Sequence, residues 1–349
     1  MESTASPSYA STPVTAAEPG SAPAYMRAAV LVEPGRFELQ EVERPEPGPG
    51  QVRIRLQGTG VCASNIPAFE GREWFSYPLG PGELGHEGWG VIDALGEGVE
   101  GLETGDRVAA LSFRAYAEYD IADAEAVVRL PASLKERPFP GEALGCAMNI
   151  FRRAQIEPGQ TVAIVGIGFL GGALTQLATR AGARVIAIAR STSALSLAKL
   201  MGAADLVRMD DHARIIAQVE QLTGGAFCPR VIECTGKQWP LDLAAELTGF
   251  GGRMVIAGYH QDGPRQVDMQ LWNWRGFDVV NAHERDPAAC MRGLREAVEA
   301  VAAGRLDPSP LLTHRFALSE LNEALHACAT RPEGFTKAVV LMPRNGSHG

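Results

Sequence analysis

Residues Thr161–Gly172 read TVAIVGIGFLGG, and this stretch decides the fold. TVAIV is a short apolar, β-branched run that reads as a buried strand. Gly166, Gly168 and Gly171 follow it as GxGxxG, and LGGALTQLATRAG continues as a helix. The first glycine permits a tight turn, the second lets backbone approach a pyrophosphate, and the third lets helix pack against strand. Phe169 and Leu170 open that helix, whose free N–H groups and positive dipole end face the phosphates. These five positions are therefore the expected cofactor-binding turn. Downstream, RVIAIA, DLVRM, VIECTG, GRMVIAG and FDVVNAH are strand-like runs, with helical segments between several of them. That alternation predicts a doubly wound parallel sheet, an α/β domain over residues 144–286.

The end of the second strand bears on the cofactor. An acidic residue about 20 positions past the glycines would accept hydrogen bonds from a ribose 2′-hydroxyl. Here Ala189 stands there, followed by Arg190, Ser191, Thr192 and Ser193. A guanidinium beside hydroxyls suits an anionic 2′-phosphate, so NADP(H) is expected ahead of NAD(H). Arg190 stacking on the adenine is the alternative.

Upstream, residues 26–130 are short strands broken by Gly and Pro, the texture of a β-rich domain. Residues 1–24 are rich in Ser, Thr, Pro and Ala, lack the basic and apolar stretches of a signal peptide, and are expected to be a disordered leader. A net charge of -9 and a pI near 5.4 argue against a nucleic-acid partner. No apolar run approaches the ~20 residues of a membrane helix. Six cysteines without a CxxC pair read as reduced thiols of a cytoplasmic protein.

Three separated segments carry metal-binding chemistry. Cys62 lies in GVCASN, His86 and Glu87 in GHEGWG, and Glu142 opens EALGCAMN. A thiolate, an imidazole and a carboxylate from distant loops form a tetrahedral zinc set with one position open for water or substrate. Glu87 and Cys146 are rival donors to Glu142.

With GHEGWGVIDALGEGVEGLETGDRV, PGQTVAIVGIGFLGG and the terminal TKAVVLM, these segments resemble the medium-chain dehydrogenase/reductases, in particular the zinc-dependent alcohol and polyol dehydrogenases. The resemblance runs from about Met26 to Met342. It implies a GroES-like catalytic domain (residues 25–143 and 287–349) split around a Rossmann domain, one Zn²⁺ per chain, and a homodimer or homotetramer. It makes Cys62, His86 and Glu142 the metal ligands and Glu87 an acidic neighbour of the metal. Ser64 becomes the proton-relay hydroxyl. Lys337 becomes a basic residue near the cofactor pyrophosphate, a solvent-facing strand-edge lysine being the alternative. The sequence also departs from the family. The four-cysteine lobe of a structural zinc is missing around LSFRAY, Pro67 replaces an outer relay histidine, and Asn65 replaces the aspartate that orients the metal histidine. A neutral amide can still accept the imidazole hydrogen bond.

The expected reaction is reversible hydride transfer between nicotinamide and a small alcohol or carbonyl substrate. His260, Gln261, Asp262, His283 and Arg285, on loops at strand carboxyl ends, either form a polar pocket, which points to a polyol-, sugar- or cyclitol-like substrate, or are ordinary solvated loop residues. Trp74, Phe75 and Tyr77 either line the cleft entrance or pack on the domain. Alternatives are a zinc-free reductase of an activated C=C or C=N bond, a non-catalytic NADPH-binding sensor, and a partner protein docking through its leader.

Overall fold

The structure, a computed structural model, describes residues 25–343; the leader expected over residues 1–24 lies outside them. The chain opens with an antiparallel hairpin, β1 (Tyr25–Glu33) and β2 (Arg36–Glu43). Then come β3 (Gln51–Gly60), the short helix α1 (Ile66–Phe69), β4 (Gly88–Leu95), β5 (Arg107–Ala110), β6 (Tyr119–Asp123) and β7 (Val127–Arg129). Helix α2 (Gly141–Ala154) leads out of this β-rich unit.

Strands and helices alternate next: β8 (Thr161–Val165), α3 (Phe169–Arg180), β9 (Arg184–Ala189), α4 (Thr192–Leu200), β10 (Asp205–Arg208) and α5 (His212–Thr223). The second half holds β11 (Cys228–Glu233), α6 (Gln238–Leu247), β12 (Thr248–Ile256), α7 (Met269–Arg275) and β13 (Asp278–Asn281). All six strands are parallel, in the order β10-β9-β8-β11-β12-β13. The chain steps outward from β8 to β10, then returns to β11 on the other side of β8. That reversal opens a ligand crevice beyond the carboxyl ends of β8 and β11.

Helix α8 (Pro287–Ala302) packs on α2, and close approach needs glycine on both sides. A Cβ on Gly145 would lie 2.9 Å from the Leu294 nitrogen, and one on Gly293 2.5 Å from the Gly145 carbonyl. The chain then re-enters the first unit through β14 (His314–Ala317), α9 (Leu321–Thr330) and β15 (Ala338–Leu341). β15 runs antiparallel to β3, with Val339 opposite Gly60, in a sheet ordered β14-β15-β3-β4-β5-β7, with β6 also pairing β3. This return sets residue 337 beside the metal segment that follows β3. Val61 N donates to Ala338 O at 3.0 Å.

Several elements escaped the sequence reading, among them β2, α1, β7, α7 and β14. Helix α7 is only seven residues long; Asp268 accepts from Leu271 N at its start and Gly276 ends it in the left-handed region. β14 is a four-residue strand of mixed polarity, HRFA. No helix among the described residues is long and apolar enough to cross a membrane.

Candidate active site

The metal segment follows directly from β3. Cys62 stands in extended backbone just after that strand, and His86 and Glu87 directly precede β4, the antiparallel neighbour of β3. Strand pairing therefore brings residues 24 and more positions apart to one end of the sheet. Donor atoms of Cys62, His86 and Glu87 all lie within 4.8 Å of one another, the one such group of three among the described residues. Glu142 enters from the first turn of α2, near enough to act electrostatically on His86 but outside that group. Cys146, one turn on, donates its thiol to Glu142 Oε1 at 3.2 Å.

Electrostatics describe a buried anionic pocket. Burial alone would lower the pKa of His86, but the hydrogen bond and charge of Cys62, then the charges of Glu142 and Glu87, push it up to about 10. Burial raises Glu142, with His86 pulling the other way. Burial and the adjacent Glu142 raise Cys146. Glu87 Oε2 is buried with no hydrogen-bond partner, and a Cβ on Gly60 would overlap it. A thiol, an imidazole and an orphaned carboxylate oxygen at mutual ligand spacing fit a divalent zinc ion, whose charge would replace the shared protons.

The surroundings of this pocket correct one reading and sharpen another. His86 Nδ1 meets the Leu84 carbonyl at 2.8 Å, not the Asn65 amide. Asn65 instead donates to that same carbonyl at 3.0 Å and accepts from the buried Tyr116 hydroxyl at 2.8 Å. The Leu84 carbonyl takes the place at Nδ1, and Asn65, which donates to that carbonyl, orients the histidine at one remove. Lys337 is not a solvent-facing lysine. It is 5% exposed, its amine 2.8 Å from Glu87 Oε1 and 3.2 Å from Val61 O. The same amine lies 4.8 Å over the Phe169 ring, the first residue of α3, and so stands between metal segment and nucleotide turn. Ser64 is solvent-exposed, two residues past Cys62.

At the nucleotide turn two of the three glycines are sterically required. Gly166 has φ +95°, and a Cβ there would overlap the Thr235 side chain beyond β11; one on Gly171 would overlap the Gly166 carbonyl. Gly168 faces a cation that the sequence reading missed. Arg331, at the left-handed end of α9, holds a guanidinium nitrogen 3.6 Å from where a Gly168 Cβ would sit. Beyond β9, Ser191 caps α4 by accepting from Ala194 N at 3.1 Å and lies 3.1 Å from Ser193. Arg190 is exposed. Arg208, opposite Ala189 across the β9–β10 pairing, donates to Thr192 Oγ1 at 3.3 Å and sets a second guanidinium on this rim. Neither Arg208 nor Arg331 carries a motif; only strand register and chain return reveal them.

The polar loop after β12 is largely self-satisfied. Glu233, fully buried at the end of β11, accepts from Gly236 N at 3.0 Å and lies 3.1 Å from His260 Nε2. Arg265 donates to His260 Nδ1 at 2.8 Å and pairs with Asp262, which Lys237 also holds at 2.6 Å. Those contacts keep Asp262 ionised, the Lys237 and Arg265 hydrogen bonds pulling its pKa down. His283 stacks on Tyr259 with ring centroids 5.0 Å apart, and Arg285 is exposed. Gln261 alone reaches across to the metal segment, donating to Ala63 O at 3.3 Å. Of the aromatic trio, Phe75 and Tyr77 pack on the core, Tyr77 also donating to Ala68 O, while Trp74 is exposed.

Comparison with known proteins agrees with this arrangement. Residues 48–132 match the alcohol dehydrogenase GroES-like domain, and residues 170–302 match the zinc-binding dehydrogenase domain. An alcohol dehydrogenase of Rhizobium meliloti (strain 1021) is 32% identical over 67% of this chain and 77% of its own length. The chain belongs to the zinc-dependent medium-chain dehydrogenase/reductases. A sorbitol dehydrogenase of Halalkalibacterium halodurans is 28% identical over 84% of the chain and 92% of its own length. The crystal structure of a zinc-binding dehydrogenase from Sinorhizobium meliloti 1021, bound to NADP, shares the fold at TM-score 0.78 and 24% identity, covering 91% of this chain and 99% of that one. This medium-chain dehydrogenase is thus an NAD(P)-dependent oxidoreductase of the zinc alcohol dehydrogenase type, with a GroES-like and a Rossmann-like domain.

Proposed function

We propose that this dehydrogenase interconverts a polar alcohol, of polyol, sugar or cyclitol type, and its ketone, with NADP(H) as hydride carrier. The observation carrying the reading is the convergence of Cys62, His86 and Glu87 within 4.8 Å, with Glu142 facing His86 from α2. Cys62 and His86 would hold one zinc ion, with Glu142 or Glu87 as the carboxylate donor. When bound, that ion supplies Lewis-acid polarisation of the reacting carbon–oxygen bond, and the nicotinamide supplies or takes the hydride.

The chain's own residues do the rest. Leu84 O fixes the His86 ring through Nδ1, leaving Nε2 free for ligation. Lys337 and Gly60 hold the Glu87 carboxylate against the segment carrying Cys62. Ser64 moves the substrate hydroxyl proton toward solvent. Gly166, Gly168, Phe169, Leu170 and Gly171 offer the pyrophosphate backbone N–H groups at the α3 start, and Arg331 faces Gly168 with a positive charge. Arg190, Ser191 and Ser193, with Arg208 beside them, form a cationic and hydroxylic rim suited to a 2′-phosphate. The exposed β13 edge, with Trp274 76% exposed on α7, supports association with a second copy of the chain. A cofactor-dependent screen of polyols and ketones on protein of measured zinc content tests the reading. Turnover with NADPH/NADP⁺ proportional to zinc supports it; full turnover by zinc-free protein removes it.

A further inference from the structure

The loop after β12 leaves one polar valence open, on a side chain that reaches the segment carrying Cys62. His260 is held between Glu233 and Arg265, Asp262 between Lys237 and Arg265, and Arg265 also donates to Gly236 O at 2.8 Å. This acid–imidazole–guanidinium network, anchored on the buried Glu233, ties the loop to the carboxyl ends of β11 and β12. Gln261 therefore sits on a rigid base. Its Nε2 donates to Ala63 O, between Cys62 and Ser64, at 3.3 Å. Its Oε1 is closed off from solvent and has no donor. A buried amide oxygen without a donor costs about 1–3 kcal/mol, so a ligand that brings a donor recovers that energy.

We propose that Gln261 is a specificity-determining residue whose Oε1 accepts the hydrogen bond of a second substrate hydroxyl, on the carbon next to the one that reacts. The proposal rests on the alcohol–ketone reading above and names the group that would recognise the hydroxyl next to the reacting one. The amide oxygen only accepts, and an unreacting carbinol hydroxyl donates to it without competing for the metal. The short reach follows from the Ala63 bond, which pins the amide head to the residue after Cys62. Loop and metal segment come from different domains, so a substrate entering between them replaces the protein surface that now covers the oxygen. The nicotinamide carboxamide is the other N–H or O–H donor that comes into this crevice, and the test separates the two.

The experiment compares kcat/KM for 2,3-butanediol and for 2-butanol in the zinc-loaded enzyme, wild type against Gln261→Met and Gln261→Glu. Cofactor Kd is titrated in the absence of alcohol. Wild type should prefer the diol, and Gln261→Met, which keeps length but removes both polar atoms, should lower the diol:mono-ol ratio about tenfold. Gln261→Glu, which keeps an acceptor and loses only the Ala63 bond, should retain most of the preference. An unchanged ratio in Gln261→Met, or equal losses for both alcohols in both variants, overturns the proposal and leaves Gln261 a loop tether. Weakened cofactor Kd with the ratio intact assigns the oxygen to the carboxamide and likewise overturns it. Wild-type turnover of 2-butanol without diol preference removes this proposal only; turnover of no alcohol removes the reading beneath it as well.

Discussion

Replacing Lys337 by Met probes the join between the metal pocket and the rest of the molecule. Lys337 is 5% exposed and Glu87 0%, with 2.8 Å between amine and carboxylate. Burial would lower the amine's pKa, yet the charges of Glu87 and Cys62 raise it, so the amine keeps its charge through neutral and mildly alkaline pH. Met fills the space but leaves Glu87 Oε1 without its partner, beside an Oε2 that already has none. Removing one member of a buried pair costs about 3–5 kcal/mol, because the other charge stays desolvated. At roughly 2 °C per kcal/mol for a protein of this size, Tm should fall by about 5–10 °C. The fall should be larger in zinc-depleted than in zinc-loaded protein, since a bound divalent ion neutralises the stranded carboxylate. The double variant Lys337→Met/Glu87→Gln should lose less than Lys337→Met alone, because the uncompensated charge is gone. Calorimetry on wild type, Lys337→Met, Glu87→Gln and the double variant, each with and without zinc, measures this. A Tm change under about 2 °C, or a double variant no better than Lys337→Met, would refute the argument that Lys337 neutralises Glu87.

Other outcomes follow from the same geometry. Arg190→Ala combined with Arg208→Ala should raise KM for NADP⁺ at least tenfold while leaving NAD⁺ within about threefold, as expected for lost charge-assisted bonds to a 2′-phosphate; equal changes for both cofactors would contradict the rim assignment. Ser64→Ala should lower kcat by about 10²-fold or more, the usual scale for losing a proton-transfer group, with zinc content and cofactor Kd unchanged. Zinc binding to the metal-free protein near pH 8 should release protons, because His86 titrates near 10 without the metal; calorimetry in buffers of differing ionisation enthalpy counts them, and no release contradicts the site. Asp120 is held up at about 6 chiefly by burial, although Ser112 and the Ile121 and Arg114 N–H groups counter it. Its folded pKa exceeds the unfolded value of 3.8, so its contribution to stability is complete below about pH 4 and is lost as pH rises through 6. The loss is on the order of 2–3 kcal/mol, and Asp120→Asn should flatten that part of the stability–pH curve in denaturant titrations.

The sequence made the nucleotide turn legible because a GxGxxG run between strand and helix admits few other readings, and Gly166 and Gly171 answer to steric demands that no other residue meets. The alternation of strands and helices after Thr161 was equally readable, since apolar runs separated by amphipathic segments admit few other arrangements. Helix α7 and strand β14 were hidden by length: one or two turns, or four residues, give no measurable period. In the site, residue types were readable and their partners were not. Lys337 could be read as a cofactor lysine or a surface lysine, and the β15–β3 pairing, which sets it buried on Glu87, excludes only the second. Asn65 looked like the histidine's partner, but the Leu84 carbonyl, which no side-chain motif announces, holds that place. Arg208 and Arg331 reach the cofactor crevice through strand register and chain return, over separations that local patterns do not record.

Zinc-edge X-ray absorption on the purified enzyme, wild type and Cys62→Ser, examines the metal pocket itself. One zinc per chain is expected, with a single sulfur neighbour at ~2.3 Å and nitrogen and oxygen neighbours at ~2.0–2.2 Å, the sulfur contribution vanishing with Cys62. A four-sulfur spectrum, or a spectrum unchanged in Cys62→Ser, would contradict it.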